Sequence, residues 1–312
     1  MMAFFSIIIP LYNKKEHIKN TLESVLKQSF KDFEVIIVDD GSTDGSVEVV
    51  KQISDSRMFI YSQKNSGASK ARNFGIEQAK SKYVVLIDAD DFWKPNHLEE
   101  HFNSINKFPK ASLFSNAYEL KLTEKHSIKA IYNIEKQNKP HIIVDYFEAS
   151  TIHPIGMTSS IAFNINDFYD IGGYNPEYTS GQDLDLLIRF GLNKTIVFNP
   201  TITCCYDKTV TGSLSKENHQ ESKRNLFNSF KDEESTNATL KKYLNLNRYS
   251  LAIQCKLAKN NKTFKKLYPE IDKTLLNLKQ KILLVMPSHL LVLTKRIHLS
   301  LIRNRVYISS FK

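Results

Sequence analysis

Between residues 5 and 118, short and continuously apolar runs alternate with amphipathic stretches, and that alternation leaves few folds open. The runs 5–9, 33–38, 58–61, 83–87 and 111–114 read as strands. Between the first two, residues 14–28 place Ile18, Leu22, Val25 and Leu26 at helical spacing. Residues 47–53, 68–79 and 95–108 read as further helices, the last with Pro95 near its start, where a missing N–H costs nothing. Strands that are apolar at every position and separated by helices predict a parallel sheet covered on both faces. In such sheets ligands bind beyond the carboxyl ends of the strands, so the chemistry is sought there.

Three strand ends stand out. The first reads Pro10-Leu11-Tyr12-Asn13, which alone is only a turn signal. The second reads Asp39-Asp40-Gly41-Ser42-Thr43-Asp44-Gly45. Ser42, Thr43 or Asp44 would cap the following helix, but a cap needs one such residue. It does not need two carboxylates directly after a buried strand, where desolvation is costly without a partner. The fourth strand ends in Asp88-Ala89-Asp90-Asp91, and three carboxylates in four residues repel one another unless a cation sits among them. Oxygen-only ligands suit Mg²⁺ or Mn²⁺, whose shell substrate phosphates commonly complete. A solvated acidic loop is the competing account, and the position at a strand end favours the cation.

These segments resemble the family 2 glycosyltransferases, which have the GT-A fold. Residues 5–13 resemble the family's opening strand, and Val38-Asp39-Asp40-Gly41-Ser42 its nucleotide-recognition turn. Asn65-Ser66-Gly67 and Ala71-Arg72-Asn73-Phe74-Gly75 resemble the loop and helix under the donor, and Asp88-Ala89-Asp90-Asp91 the DXD motif. The resemblance covers about 4–118 almost without a gap and continues more loosely to about 215. It implies that Tyr12 packs on the nucleobase beside Pro10, that Asp40 with Asp39 hydrogen-bonds the base, and that Arg72 and Asn65 border the base or pyrophosphate. It implies Asp88 on the ribose or sugar and Asp90, with Asp88, at a Mn²⁺ or Mg²⁺ ion bridging the diphosphate. The family's base lies in a Glu-Asp pair after a Gly-Gly-aromatic turn; here Gly172-Gly173-Tyr174 precedes Gly181-Gln182-Asp183, so Asp183 is the candidate base. Gln182 stands where the family usually has glutamate, and a helix-capping role for Asp183 stays open. The Gln-x-x-Arg-Trp motif of processive members is missing, Trp93 being the only tryptophan, so the resemblance implies single addition with inversion. Ser159 within 158–160, Lys208 within 208–213, and Gln182 are expected to border the acceptor.

Farther along, 115–133 predicts a hairpin, 135–141 a polar loop, 158–163 a strand, Gly172-Gly173 a turn, 183–190 a helix, and 195–198 and 201–206 strands. The resulting reading is an α/β GT-A domain over 1–217, with a nucleotide-binding half at 1–118 and an acceptor half at 119–217. A helical, basic C-terminal extension over 218–312 follows. Residues 241–312 hold 16 Lys and Arg against only Glu270 and Asp272, whereas the first 240 residues are slightly acidic. Leu283, Leu284, Leu290, Leu291, Ile297, Leu301 and Ile302 lie among Lys281, Lys295, Arg296, Arg303 and Arg305 in that tail. Such a segment either lies in an anionic membrane interface or packs back on the catalytic domain. No nucleic-acid motif accompanies it, so nucleic acid is not an expected partner. The expected partners are a nucleotide-sugar donor and a glycan or lipid-linked acceptor.

Three cysteines, two of them adjacent (Cys204, Cys205) and the third Cys255, suit neither a disulfide framework nor a zinc site and fit a reducing cytoplasm. The apolar run 4–10 is too short and lacks a basic lead for a secretory signal. The stretch 282–294 is broken by Pro287 and falls short of the roughly 20 residues that span a bilayer. The expected location is therefore the cytoplasm, with the tail available to a membrane face. His97-Leu98-Glu99-Glu100-His101 matches the inverted zinc-protease pattern, though an ordinary covering helix accounts for it better. Neither a dinucleotide fingerprint nor a P-loop is found. A nucleotidyltransferase, or a non-catalytic nucleotide-sugar-binding protein, is the remaining alternative on this fold.

Overall fold

The computed structural model describes residues 2–123, 125–209 and 219–303. Among them one sheet contains β1 (Phe5–Leu11), β2 (Phe33–Asp39), β3 (Met58–Ser62), β4 (Tyr83–Leu86), β5 (Phe92–Trp93), β6 (Leu113–Thr123), β7 (His126–Lys129), β8 (His141–Ile143), β9 (Ile161–Asn164) and β10 (Ile196–Asp207). The spatial order is β3-β2-β1-β4-β9-β6-β10-β5, with β7 on β6 and β8 on β10. The N-terminal helices are α1 (Ile18–Leu26), α2 (Ser46–Lys51), α3 (Ala68–Glu77) and α4 (His97–Lys107). They are followed by α5 (Tyr146–Ala149), α6 (Ile165–Asp170) and α7 (Gln182–Asn193). The C-terminal region adds α8 (Gln220–Asn228), α9 (Lys231–Thr236), α10 (Ala238–Leu257), α11 (Asn261–Leu267), α12 (Leu278–Val285) and α13 (Ser288–Arg303).

β1 to β4 are parallel, with Ile8 registered against Ile36 on one side and Leu86 on the other. Because successive side chains alternate between faces, each apolar strand feeds two cores. Ile7, Ile9, Val35 and Ile37 pack under Leu22, Val50 and Leu98, while Ile8, Ile36 and Val38 pack against Ala71 and Ile76. A Cβ on Gly75 would stand 2.6 Å from the Ile8 Cγ2 methyl, so glycine lets α3 lie directly on the strands. That approach carries Arg72 to the strand ends. The chain moves outward from β1 to β3 and then returns to place β4 on the opposite side of β1, creating a topological switch point between β1 and β4.

Several sequence expectations change here. The sheet is parallel only in this half, because β9 runs antiparallel to both β4 and β6. The helix expected from residue 14 begins at Ile18, since the Lys14 and Lys15 amides are occupied by Ser46 and Asp44 side chains. β6 runs unbroken through Ser115, where a hairpin was expected to begin; the hairpin proper joins it to β7. Residues 158–160 form a 3₁₀ turn, so the strand there is only Ile161–Asn164. The two strands expected at 195–206 are one, with a register shift between Asn199 and Ile202 where Pro200 cannot donate a ladder bond.

The basic extension does not stand apart. Leu240, Tyr243, Leu244 and Tyr249 of α10 share a core with Tyr146, Phe147, Leu187 and Phe190, so this part of the tail packs back on the catalytic domain. Among the described residues no helix is long and apolar enough to cross a membrane.

The His97/His101 pair is packing rather than a metal site. Both rings are fully buried; their Nε2 atoms lie 3.2 Å apart, and His97 Nδ1 lies 2.7 Å from Thr203 Oγ1. The Glu100 carboxylate accepts from Asn199 Nδ2, and His97 stacks on Trp93 at 4.1 Å. Burial holds both imidazoles below their ordinary range, His101 at about 3. Unfolded chains protonate these rings below about pH 6.5, which the folded state resists, so their stabilising contribution is complete above that pH and lost as pH falls through it. The melting temperature should therefore drop between pH 7 and pH 5, and drop less in His101→Leu. Equal drops in the two proteins would refute this origin.

Candidate active site

The loops after β1 and β2 are stitched together. Asn13 N donates to Ser42 Oγ at 3.1 Å, and Thr43 N donates to Asn13 Oδ1 at 2.8 Å. Gly41 turns the chain at φ +76°, where a Cβ would also lie 3.0 Å from the Asn65 amide nitrogen. The Asp40 carboxylate accepts from the amides of Ser66 and Gly67 and from Gln63 Nε2, which pins the loop bearing Asn65 to the start of α3. Asp39 does not share that place. Its carboxylate accepts from Ser42 N within the turn, whereas Asp40 lines the cleft.

A cleft of about 760 Å³ opens at the switch point. It gathers Pro10, Tyr12, Asp40, Asn65, Arg72, Asp88 and Asp90 from separate strand ends, with Gln182 and Asp183 facing them from α7. Tyr12 is 47% exposed, leaving its ring free to stack. Arg72 is buried and bridges two carboxylates: Nη2 lies 2.6 Å from Asp88 Oδ1, and Nη1 lies 3.6 Å from Asp183 Oδ1. Burial raises the Asp88 pKa, opposed by Arg72 and reinforced by Asp183 and Asp90. Burial works against the Arg72 charge, but Asp88 and Asp183 more than offset it and hold the guanidinium above its ordinary value. The N-cap of α7 is Gly181, in the left-handed region, and the Asp183 carboxylate accepts from Tyr174 OH at 3.2 Å instead of capping its helix.

Behind the acidic turn, Trp93 Nε1 donates to Ser159 O at 2.6 Å and Ser159 Oγ donates to Asp91 Oδ2 at 2.5 Å. Asp88 N donates to the same hydroxyl, and Thr21 Oγ1 donates to the Ala89 and Asp91 carbonyls. Ser159 is thus fully buried and positions the turn, correcting its expected place beside the acceptor. Lys208 lies outside the lining too, its ammonium 5.8 Å over the ring of Tyr206, which does line the cleft. The expected acceptor residues 210–213 lie outside the described residues.

Three contributors were not anticipated. Lys14 pairs with Asp90 at 2.7 Å, Tyr174 holds Asp183, and one face of α10 forms the far wall. Lys14 directly follows the Pro-Leu-Tyr-Asn turn, and its position there was the available signal. Among the described residues no three His, Cys, Asp or Glu side chains gather closely enough to hold an ion by themselves. Asp88 and Asp90 are nevertheless hard oxygen donors directed at one cleft. This donor set fits a divalent cation whose shell substrate phosphates complete.

Residues 6–159 match the family model described as glycosyl transferase family 2. Through that segment the chain belongs to this family. It is 30% identical over 197 residues to an uncharacterized glycosyltransferase of Rickettsia prowazekii, covering 62% of this chain and 60% of that protein. It is 45% identical over 98 residues to the putative teichuronic acid biosynthesis glycosyltransferase TuaG of Bacillus subtilis, covering 30% of this chain and 39% of the relative. The matched segments therefore span less than two thirds of these relatives' lengths. The crystal structure of S. aureus TarS 1–349 in complex with UDP-GlcNAc superposes with a TM-score of 0.70 at 18% identity, covering 99% of this chain and 93% of that one. The family 2 chain thus has the GT-A fold expected of it, with a helical C-terminal region.

Proposed function

We propose that this chain is an inverting glycosyltransferase that moves a sugar from a uridine diphosphate donor to a hydroxyl acceptor in cell-surface polysaccharide or glycolipid synthesis. The observation carrying the reading is the convergence of Asp40, Asp88 and Asp90 with Asp183 in one cleft at the switch point. Tyr12 stacks on the base, Asp40 and Asn65 hold it, and Asp88 and Arg72 orient the sugar and diphosphate. Asp88 and Asp90 would hold a Mn²⁺ or Mg²⁺ ion, which would supply Lewis-acid neutralisation of the departing diphosphate. Lys14, paired with Asp90, adds a cation at the same end of the cleft. The acceptor oxygen bonds to the anomeric carbon on the face opposite the diphosphate, while its proton passes to the Asp183 carboxylate. The anomeric carbon–oxygen bond breaks, and its electron pair leaves with the nucleoside diphosphate. TuaG, named for teichuronic acid biosynthesis, and the UDP-GlcNAc complex of TarS support the donor and pathway class.

Donor hydrolysis measured across a panel of nucleotide sugars, with and without Mn²⁺, tests the reading. Metal-stimulated release of UDP from at least one donor is expected. Nucleotide binding without any turnover would instead identify a binding protein.

The last two helices support the membrane-facing part of the reading. Leu284 and Leu291 are buried, whereas Leu278, Ile282, Val285, Leu290, Leu293 and Ile297 are exposed beside Lys279, Lys281, Lys295 and Arg296. An apolar outer face among cations suits an anionic bilayer surface. Because α10 belongs to the core, removal of 278–312, which leaves that helix in place, is the test. Sedimentation with phosphatidylglycerol vesicles should fall severalfold on that removal and fall with salt. Unchanged sedimentation would exclude the tail as an anchor.

A further inference from the structure

The far wall of the cleft has a chemistry of its own. Every turn of α10 from Tyr243 to Gln254 presents a residue to it: Tyr243, then Leu246 and Asn247, then Ser250 and Leu251, then Gln254. Leu246 and Leu251 are buried and make an apolar floor. The Ser250 and Gln254 side chains, one turn apart, make no hydrogen bond among the described residues, so their donors and acceptors remain available. A strip of amide and hydroxyl groups over an apolar floor suits a polyhydroxylated chain, whose hydroxyls alternate with C–H faces.

Charge separates this wall further from the donor end. The cations there are already paired, Lys14 with Asp90 and Arg72 with Asp88 and Asp183. Lys223, on α8, also lines the cleft, yet its ammonium has no ion pair or hydrogen-bond partner among the described residues. Its Cγ would lie 3.8 Å from a Cβ on Gly181, which places its stem against the residue preceding Gln182 and Asp183. Burial also lowers the pKa of this ammonium, a cost that a bound anion would relieve.

We infer that α10 and Lys223 form an acceptor subsite for a polyhydroxylated molecule carrying an anionic group, with Ser250 and Gln254 reading hydroxyls and Lys223 reading the anion. The assignment of this wall to the acceptor rests on the transferase reading; the binding chemistry of the wall does not. Either a carboxylate or a phosphate meets the requirement at Lys223.

Saturation-transfer NMR on the full chain, saturated with UDP, with D-glucuronate, glycerol 3-phosphate and D-glucose as probes tests the inference. One anion should bind about threefold or more tightly than glucose, the scale of a single partly exposed charge contact, and the preferred anion distinguishes carboxylate from phosphate. Lys223→Gln should abolish that preference while Lys223→Arg keeps it, and Ser250→Leu should weaken all three probes. Raising salt on the unmodified protein should erode the anion preference, a measurement independent of any variant's folding. Equal binding of all three probes, no binding of any, or an unchanged preference in Lys223→Gln would overturn the subsite. Donor hydrolysis measured in parallel keeps the two proposals apart, since its failure would remove the transferase reading and leave these probe results standing.

Discussion

Replacing Asp183 with Asn is expected to lower kcat for sugar transfer by roughly 100- to 10,000-fold, the range that a positioned general base contributes. The substitution keeps the shape of the side chain and its contact with Tyr174 OH, but replaces the basic carboxylate with a neutral amide that cannot take up the acceptor's proton. On the proposed reading the donor is held by Pro10, Tyr12, Asp40, Asn65, Asp88 and Asp90, of which none pairs with Asp183, so the donor KM should change far less than kcat. The geometry makes this a sharp test. Asp183 is 37% exposed at its side chain, whereas Asp88 and Asp90 are each held closely by a cation at the donor end. Steady-state kinetics on any donor that the panel identifies would check it. A loss of less than tenfold would transfer the base role to another group and leave Asp183 a partner of Arg72.

The donor end was legible because its residues are contiguous with strand ends. Pro10 and Tyr12, Asp40, and Asp88 with Asp90 each follow an apolar run, and an alternating α/β chain brings such ends together once the switch point is known. What could not be read depended on tertiary approach. Lys14 meets Asp90 only because β4 lies beside β1, and Tyr174 reaches Asp183 only through the turn that Asn73 anchors by both its amide groups. β6 was cut short for a related reason: Ser115 and Asn116 are polar, yet both are buried, and Asn116 Nδ2 donates to the His97 carbonyl. Periodicity sees the polar residue and not its partner. The α10 wall carried no motif. Its lining residues differ little from ordinary core and surface positions of a basic amphipathic helix, and only the fold turns that face toward Asp183.

Arg72→Leu should be the most damaging single change to the framework of the site. Arg72 is 5% exposed, and its guanidinium is shared between Asp88 and Asp183 with its Cζ 5.3 Å from the centre of the Tyr174 ring. Removing it leaves two carboxylates facing each other with their common cation gone, and breaking a buried pair from one side costs about 3–5 kcal/mol. Asp88 retains 31% exposure and Asp183 37%, so water reaches both and the loss should fall near the lower end of that range. Equilibrium denaturation would show it as a shift in midpoint without a change in slope. Arg72→Lys keeps the charge but not the two-armed geometry, so it should recover much of the stability while leaving turnover depressed. If Arg72→Leu folded as stably as the unmodified chain, the Asp88 and Asp183 charges would not be coupled through this residue.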